Sequence, residues 1–208
     1  VVASTLPAGC ELSDKKDVGG DDTKDSDINP TTGYSPLVTL NPSQGGLNKD
    51  NPTIDAALKS TLGSIGDYVW KDTNDNGVQD ATETGVDGVK VVLWSADVSG
   101  NPIAILKGTT TSGGGYYIFT DLPAGRYIVQ LDRSSLPAGC SLSEKPNAGT
   151  NDAKDSDFDP NSAMSPVVTL DPTLGGLDKD NPTIDAGLVS PLGSIGDYVW
   201  KDTNDNGI

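Results

Sequence analysis

Along residues 89–94 of this 208-residue chain the side chains alternate, with Val89, Val91 and Leu93 on one side of an extended segment and Lys90, Val92 and Trp94 on the other. Period-two patterning in β-branched and aromatic residues predicts a strand with one face in a core and the second at least half covered. Short apolar runs bounded by Gly, Pro, Asn and Asp predict further strands at 65–70, 103–110, 116–119, 126–131, 165–170 and 182–188. Leu122-Pro123-Ala124-Gly125 reads as a turn, which makes 116–119 and 126–131 a predicted hairpin. Gly113-Gly114-Gly115 is another turn. No helix start and no Lys-Ser/Thr pair follows it, as a phosphate cradle would need. Tyr116, Tyr117 and Tyr127 are expected to anchor sandwich edges, and residues 141–161 to be irregular. Long amphipathic helix patterns are absent, so the chain is expected to be all-β, with an immunoglobulin-like or transthyretin-like β-sandwich as its unit.

The unit repeats. Leu6-Pro7-Ala8-Gly9-Cys10 returns as Leu136-Pro137-Ala138-Gly139-Cys140, and Asn51-Pro52-Thr53-Ile54-Asp55-Ala56 returns as Asn181-Pro182-Thr183-Ile184-Asp185-Ala186, both at an offset of 130 residues. Internal repetition at a fixed spacing marks a tandem array. It divides the chain into the C-terminal half of a preceding repeat (1–60), a complete repeat (61–190) and the opening strand and loop of a third (191–208). Val1 and Val2 align with Leu131 and Asp132, the end of a predicted strand, as though the chain were cut from a longer one. The join Val189-Ser190-Pro191-Leu192 is too short for a flexible tether, so neighbouring repeats are expected to touch.

Charge narrows the partners. Thirty acidic side chains against fourteen basic ones give a net charge of −16, which argues against nucleic acid and anionic membranes and favours a cation. No run of eighteen apolar residues occurs, so membrane insertion is not expected. Histidine is absent, which removes the commonest general base and a common zinc ligand and leaves little reason to expect an enzyme. Cys10 and Cys140 occupy equivalent places in different repeats, so a disulfide within one domain is not expected, and each is read as a small, partly buried apolar residue ahead of an intermolecular crosslink.

One stretch carries complete metal chemistry. Residues 72–83 fit D-x-[DN]-x-[DN]-G-x5-E: Asp72, Asn74 and Asn76 at loop positions one, three and five, Gly77 at six, the Val78 carbonyl at seven, Asp80 at nine and Glu83 at twelve. A Ca²⁺ ion takes six to eight oxygens, and alternate residues of a tight turn can aim theirs at one point. A solvated Asn/Asp/Gly turn is the bland alternative. The flanking residues are strand-like, so the loop is expected to follow a strand rather than sit in an EF-hand. Asp202, Asn204, Asn206 and the Ile208 carbonyl begin the same loop in the next repeat.

A second acidic run, Asp152, Asp155, Asp157 and Asp159, recurs at Asp22, Asp25 and Asp27 in the preceding repeat. Its spacing matches no standard calcium loop, but its density favours a cation over a solvated loop. Asp67 and Asp185 sit among apolar strand residues, where an ionised carboxylate needs a partner or a metal; either is a candidate to complete a calcium shell, and a hydrogen-bonded structural role fits each equally well.

Gly-Asp-Tyr-Val-Trp, followed by Asp-x-Asn-x-Asn-Gly-x-Gln-Asp, Gly-Val-x-Val-x-Leu and Gly-x-Tyr-x-Phe-x-Asp-Leu-Pro-Ala-Gly-x-Tyr, resembles the B-repeat domain of serine-aspartate repeat surface proteins, relatives of the collagen-adhesin B-type (Cna-B-type) repeats. The resemblance is close over 63–131, and 136–188 is similar to longer variants. It implies extracellular, calcium-stiffened stalks on a bacterial surface or in its matrix, with Asp72, Asn74, Asn76, Asp80 and Glu83 as the main calcium ligands. The implied partners are adjacent repeats and identical chains in a filament. No serine-aspartate tract or wall-sorting signal occurs among these residues. Some relatives of the fold carry Lys-Asn or Lys-Asp isopeptide bonds, for which Lys90 is the best-placed lysine, although a snorkelling side chain fits it better. A structural spacer is thus the leading expectation, ahead of a ligand-binding adhesin module and an accessory region of a large secreted enzyme.

Overall fold

The computed structural model describes residues 1–18, 21, 23–190, 201, 203 and 206. Strands in chain order are β1 (Cys10–Leu12), β2 (Leu58–Ser60), β3 (Gly63–Lys71), β4 (Lys90–Ala96), β5 (Pro102–Thr110), β6 (Tyr116–Leu122), β7 (Gly125–Leu131), β8 (Ser141–Leu142), β9 (Val168–Leu170), β10 (Asp180–Asn181) and β11 (Ala186–Val189). Four short 3-10 turns accompany them, and the described residues contain no α-helix. No helix among them is long and apolar enough to cross a membrane.

Two sheets form the sandwich. In one, β3 lies between β6, antiparallel to it, and β10 and β11, both parallel to it, with β8 outside β11. The other runs β5-β4-β7-β9, antiparallel throughout. Ile65 and Val69 of β3 meet Val91 and Leu93 of β4, with Val89 just before it, in one buried cluster with Tyr117, Phe119, Val129, Leu131 and Leu188. Lys90 is exposed while Val92 and Trp94 are half-buried, so β4 shows the expected alternation. Its position on the solvent side leaves Lys90 outside the core that an isopeptide-forming lysine would occupy.

The expected hairpin of 116–119 with 126–131 is not formed. β6 pairs with β3, whereas β7 pairs with β4 and β9, so Leu122-Pro123-Ala124-Gly125 carries the chain from one sheet to the other. The crossing has a physical cause. Pro123 has no amide to give to a ladder, buried Leu122 closes the core beneath the arch, and the Tyr127 hydroxyl donates back to the Pro123 carbonyl at 2.7 Å. Of the run expected at 182–188 only the end is strand, in β11, while β10 lies just before it. Pro182 and the Asn181 side chain, which accepts from Thr183 N at 3.0 Å, bend the chain between them. Gly113-Gly114-Gly115 is a turn, and Asp87 Oδ1 clasps it by accepting from Gly114 N at 2.9 Å and Gly115 N at 2.6 Å.

Residues 1–60 reproduce the local bonding of the complete repeat. Leu12 faces Leu58 across β1 and β2 as Leu142 faces Leu188 across β8 and β11. Asp27 N donates to Asp55 O at 3.0 Å, as Asp157 N donates to Asp185 O at 2.9 Å. The apolar residues differ in fate: Leu40 and Leu58 are exposed, whereas Leu170 and Leu188, 130 positions on, are buried beneath strands that 1–60 lacks. β2 leads into β3 through two residues, and Thr61 N donates to Gly9 O at 2.8 Å.

Candidate metal centre

The oxygen-rich loop leaves β3 at Lys71, as expected. Its first residue is fixed at both ends: Asp72 N donates to Leu188 O at 2.8 Å, and the buried Asp72 carboxylate accepts from Gly77 N at 2.8 Å and Asn76 N at 3.2 Å. Gly77 has φ +77°, and a Cβ there would overlap the Lys145 carbonyl oxygen, so the sharp turn at position six requires glycine. Asn74 Oδ1 accepts from Asn76 N at 3.1 Å and Asn76 Oδ1 from Val78 N at 2.7 Å. Both asparagine amides donate to Asp80 Oδ2, at 2.8 and 3.0 Å. Glu83 closes the loop, its Oε1 accepting from Thr73 N at 2.6 Å and its Oε2 from Asp80 N at 3.0 Å. All five predicted side chains therefore meet in one hydrogen-bonded set, and the Val78 carbonyl is not used by the ladder described next.

That loop is stitched to the second acidic run. Val78 forms an antiparallel bridge with Asp155, in which Gln79 N donates to Lys154 O at 2.7 Å and Ser156 N to Gly77 O at 3.0 Å. Lys145 donates to the Asp75 carbonyl. Residues 145–156 thus form one wall of the loop, a contact between segments about 70 positions apart that spacing alone does not reveal.

Carboxylates converge most tightly in this second run. Ligand atoms of Asp152, Asp155 and Asp157 lie within 4.8 Å of one another, and so do those of Asp17, Asp25 and Asp27 in the preceding repeat. The loop acids Asp72, Asp80 and Glu83 form no such set. Asp155 Oδ1 is buried without a hydrogen-bond partner, and so is Asp185 Oδ2. Burial pushes the Asp155 carboxyl up. Burial is also the main cause that lifts Asp157 to about 7, with Asp152 and Asp155 adding to it. Burial, then the charges of Asp67 and Asp157, raise Asp185 to about 9. Tyr117, fully buried, donates to the Ile184 carbonyl at 2.6 Å, and burial beside these acids raises its hydroxyl as well.

Ionised oxygens held this close without a donor for each need a cation or protons. The donor set is all oxygen, which suits a hard divalent ion such as calcium and not a thiolate-loving or imidazole-loving metal. The fit is thus good at Asp152, Asp155 and Asp157, where Asp155 Oδ1 is the atom that most directly lacks a partner.

Asp67 is half-buried on β3, with its carboxyl raised by burial, and belongs to neither set of three. Asp159 instead caps a local turn, accepting from Ser162 N at 2.7 Å. Asp22, Asp202, Asn204 and Ile208 lie outside the described residues, and Asn206 is exposed. Sequence reasoning missed Asp17 and its counterpart Asn147. Both have left-handed backbone, at φ 50° and 52°, and Asn147 lines the same two clefts as Asp157. The offset of 130 pairs the two oxygen side chains and is the signal that could have found them.

The SdrD B-like domain family matches residues 63–188. Serine-aspartate repeat-containing protein F of Staphylococcus epidermidis is 38% identical over 195 residues, 93% of this chain and 10% of that protein. Serine-aspartate repeat-containing protein D of Staphylococcus aureus is 36% identical over 205 residues, 98% of this chain and 13% of that protein. The chain therefore spans about a tenth of the length of these relatives. Among solved structures, BcpA, the major pilin subunit of Bacillus cereus, overlaps 66% of this chain and 35% of its own at 15% identity, with a TM-score of 0.33.

Proposed function

The chain belongs to the SdrD B-like domain family of extracellular bacterial surface proteins, and we propose that it is a non-catalytic structural segment whose tandem repeats are folded and stiffened by calcium. Residues 61–190 form the complete unit in this reading, 1–60 the end of the unit before it, and 191–208 the start of the unit after it. The observation that carries the proposal is the buried, partnerless Asp155 Oδ1 within a set of three converging carboxylates, bridged to an oxygen-lined loop of calcium-binding spacing. Calcium, when bound, supplies two positive charges among oxygens that otherwise repel.

The protein's own residues do the rest. Asp72, Asn74, Asn76, the Val78 carbonyl, Asp80 and Glu83 would hold one ion, and Asp152, Asp155 and Asp157 would hold another beside Asn147. Asp72 ties the first site to β11 through Leu188 and the Val78–Asp155 bridge ties it to the second, so occupancy fixes segments from the start, middle and end of the repeat. The two-residue passage from β2 to β3, with Leu62 seated against Gly9, leaves little slack between units. Stiffness within each unit then becomes stiffness along the array, with identical chains and adjacent repeats as partners.

The test is thermal unfolding in millimolar calcium and in chelator. Each occupied site should add about 2.7 kcal/mol when free calcium is a hundred times its Kd. Small-angle scattering of a chain of several repeats should show a longer, straighter particle with calcium. Unchanged melting and unchanged dimensions would defeat the proposal.

A further inference from the structure

Among the described residues β6 pairs only with β3 and β5 only with β4, so each is the edge of its sheet. Between these two edges runs a groove of about 410 Å³, large enough for a small ligand or a few side chains of a peptide. Its lining is mixed. Tyr116, Ile118 and Pro182 give apolar surface, Thr109 and Asn181 give polar groups, and Asp67 of β3 brings a carboxylate.

That carboxylate is uncompensated. The Asp67 backbone is locked in the ladder opposite Tyr117. Its half-buried side chain accepts no hydrogen bond and meets no basic group among the described residues, and burial alone pushes its carboxyl up. Asp185 lies close enough for the two charges to act on each other, which makes this side of the groove more negative still. Lys107, the one lysine on the two edge strands, donates instead to the Thr120 carbonyl. Calcium fits here less well than at the acidic run, because Asp67 belongs to no set of three converging acids and a divalent ion draws several charged oxygens.

A half-buried carboxylate beside apolar surface, in a chain of net charge −16, complements a cation carried on an alkyl stem. Tyr116 is held in place by Tyr68, with ring centroids 4.7 Å apart, and an aromatic ring attracts cations. We propose that the groove between β5 and β6 is a docking site for a basic side chain, lysine or arginine, of a partner protein, with Asp67 receiving its charge and Tyr116, Ile118 and Pro182 packing its methylene stem. Gly-Asp-Tyr-Val-Trp returns at 196–200, so the next repeat carries the same carboxylate. In the array described above, contacts too weak singly would then add along its length.

The experiment titrates acetyl-Lys-Lys-Lys-amide, acetyl-Arg-Arg-Arg-amide and neutral acetyl-Gln-Gln-Gln-amide into the 208-residue chain in millimolar calcium, following backbone amide shifts by NMR. Saturable shifts centred on Asp67, Tyr116 and Ile118 are expected with a basic peptide and not with the neutral one, and the tighter of the two basic peptides names the side chain. Asp67→Asn and, separately, Ile118→Lys should each weaken binding about tenfold or more. Glu144→Gln, which removes an equal charge outside the groove, should leave it unchanged. Ile118 is exposed and asparagine matches aspartate in size, so neither variant should melt before the parent; if one does, the other decides. The proposal is overturned if no basic peptide saturates, if binding survives both groove substitutions, if Glu144→Gln weakens it as much as they do, or if the shifts centre on residues 152–157. It is also overturned if Asp67→Asn loses a bound ion in a calorimetric calcium titration, which would make calcium the occupant. The calcium reading is tested by melting and scattering without peptide, so either can fail while the other stands.

Discussion

Val78, seventh in the oxygen-rich loop, and Asp155, at the centre of the second acidic run, face each other across an antiparallel bridge. Ordering either segment therefore orders part of the other. If each site holds calcium, the two should bind with positive coupling, typically about 1–3 kcal/mol. Glu83→Ala, which removes only a loop ligand, should weaken calcium at Asp152, Asp155 and Asp157 by roughly tenfold. Calorimetric titration of parent and variant checks this, and an unaltered second site would show the bridge to be thermodynamically silent.

The buried acids give the metal-free fold an inverted pH dependence. An unfolded aspartate titrates near 3.8, whereas folded Asp157 and Asp185 titrate near 7 and 9. Between those values the folded state binds more protons than the unfolded one. Stability in chelator is thus fullest below about pH 4 as far as these two groups are concerned, and is lost as pH rises through about 7 and then about 9. Melting in chelator from pH 5 to 9 should fall progressively, by a total on the order of a few kcal/mol. A flat or rising profile would contradict the assignment.

Asp185→Asn sharpens that test. The amide keeps an oxygen for Tyr68 N, which now donates to Asp185 Oδ1 at 3.0 Å, and removes the charge from the neighbourhood of Asp67 and Asp157. In chelator at pH 9 the variant should melt higher than the parent, and its decline between pH 7 and 9 should flatten. Melting below the parent at pH 9 would mean that the carboxylate is already compensated.

Gly77→Ala should cost about 2–3 kcal/mol in calcium. Its φ of +77° disfavours any Cβ, and the added atom would meet the Lys145 carbonyl and crowd Ala148 Cβ at 3.0 Å. Denaturant unfolding measures the loss. A variant as stable as the parent would show that the loop and the 145–156 wall can part freely.

Local chemistry was legible in the sequence, and long-range pairing was less so. The alternation of Val89, Val91 and Leu93 gave the core face of β4 because each residue's side follows from its own strand period. The hydrogen-bonded turn at 72–83 was legible for the same reason, since the oxygen side chains that bond across it are near neighbours in the chain. The partner of residues 116–119 was not, because a Pro-Gly turn looks the same whether the next strand returns to the same sheet or crosses to the other. Only the burial of Leu122 and the Tyr127–Pro123 bond distinguish the two. Asp155 was identified by charge density, but its facing of Val78 depends on how the irregular 141–161 segment folds back, which no periodicity encodes.

The parallel pairing of β3 with β11 governs how the molecule bears load. Gly63 opens the first strand, Val189 ends the last, and the register sets Ala186, Gly187 and Leu188 against Val69, Trp70 and Lys71. Tension applied through the preceding and following segments pulls these two strands along their length in opposite directions. Their hydrogen bonds are then strained together in shear, rather than opened one after another as at the end of a hairpin. The Asp72 N to Leu188 O bond adds the 72–83 loop to the same clamp. Single-molecule stretching should find a high rupture force in calcium and a lower one in chelator; equal forces would mean that the clamp resists without the ion.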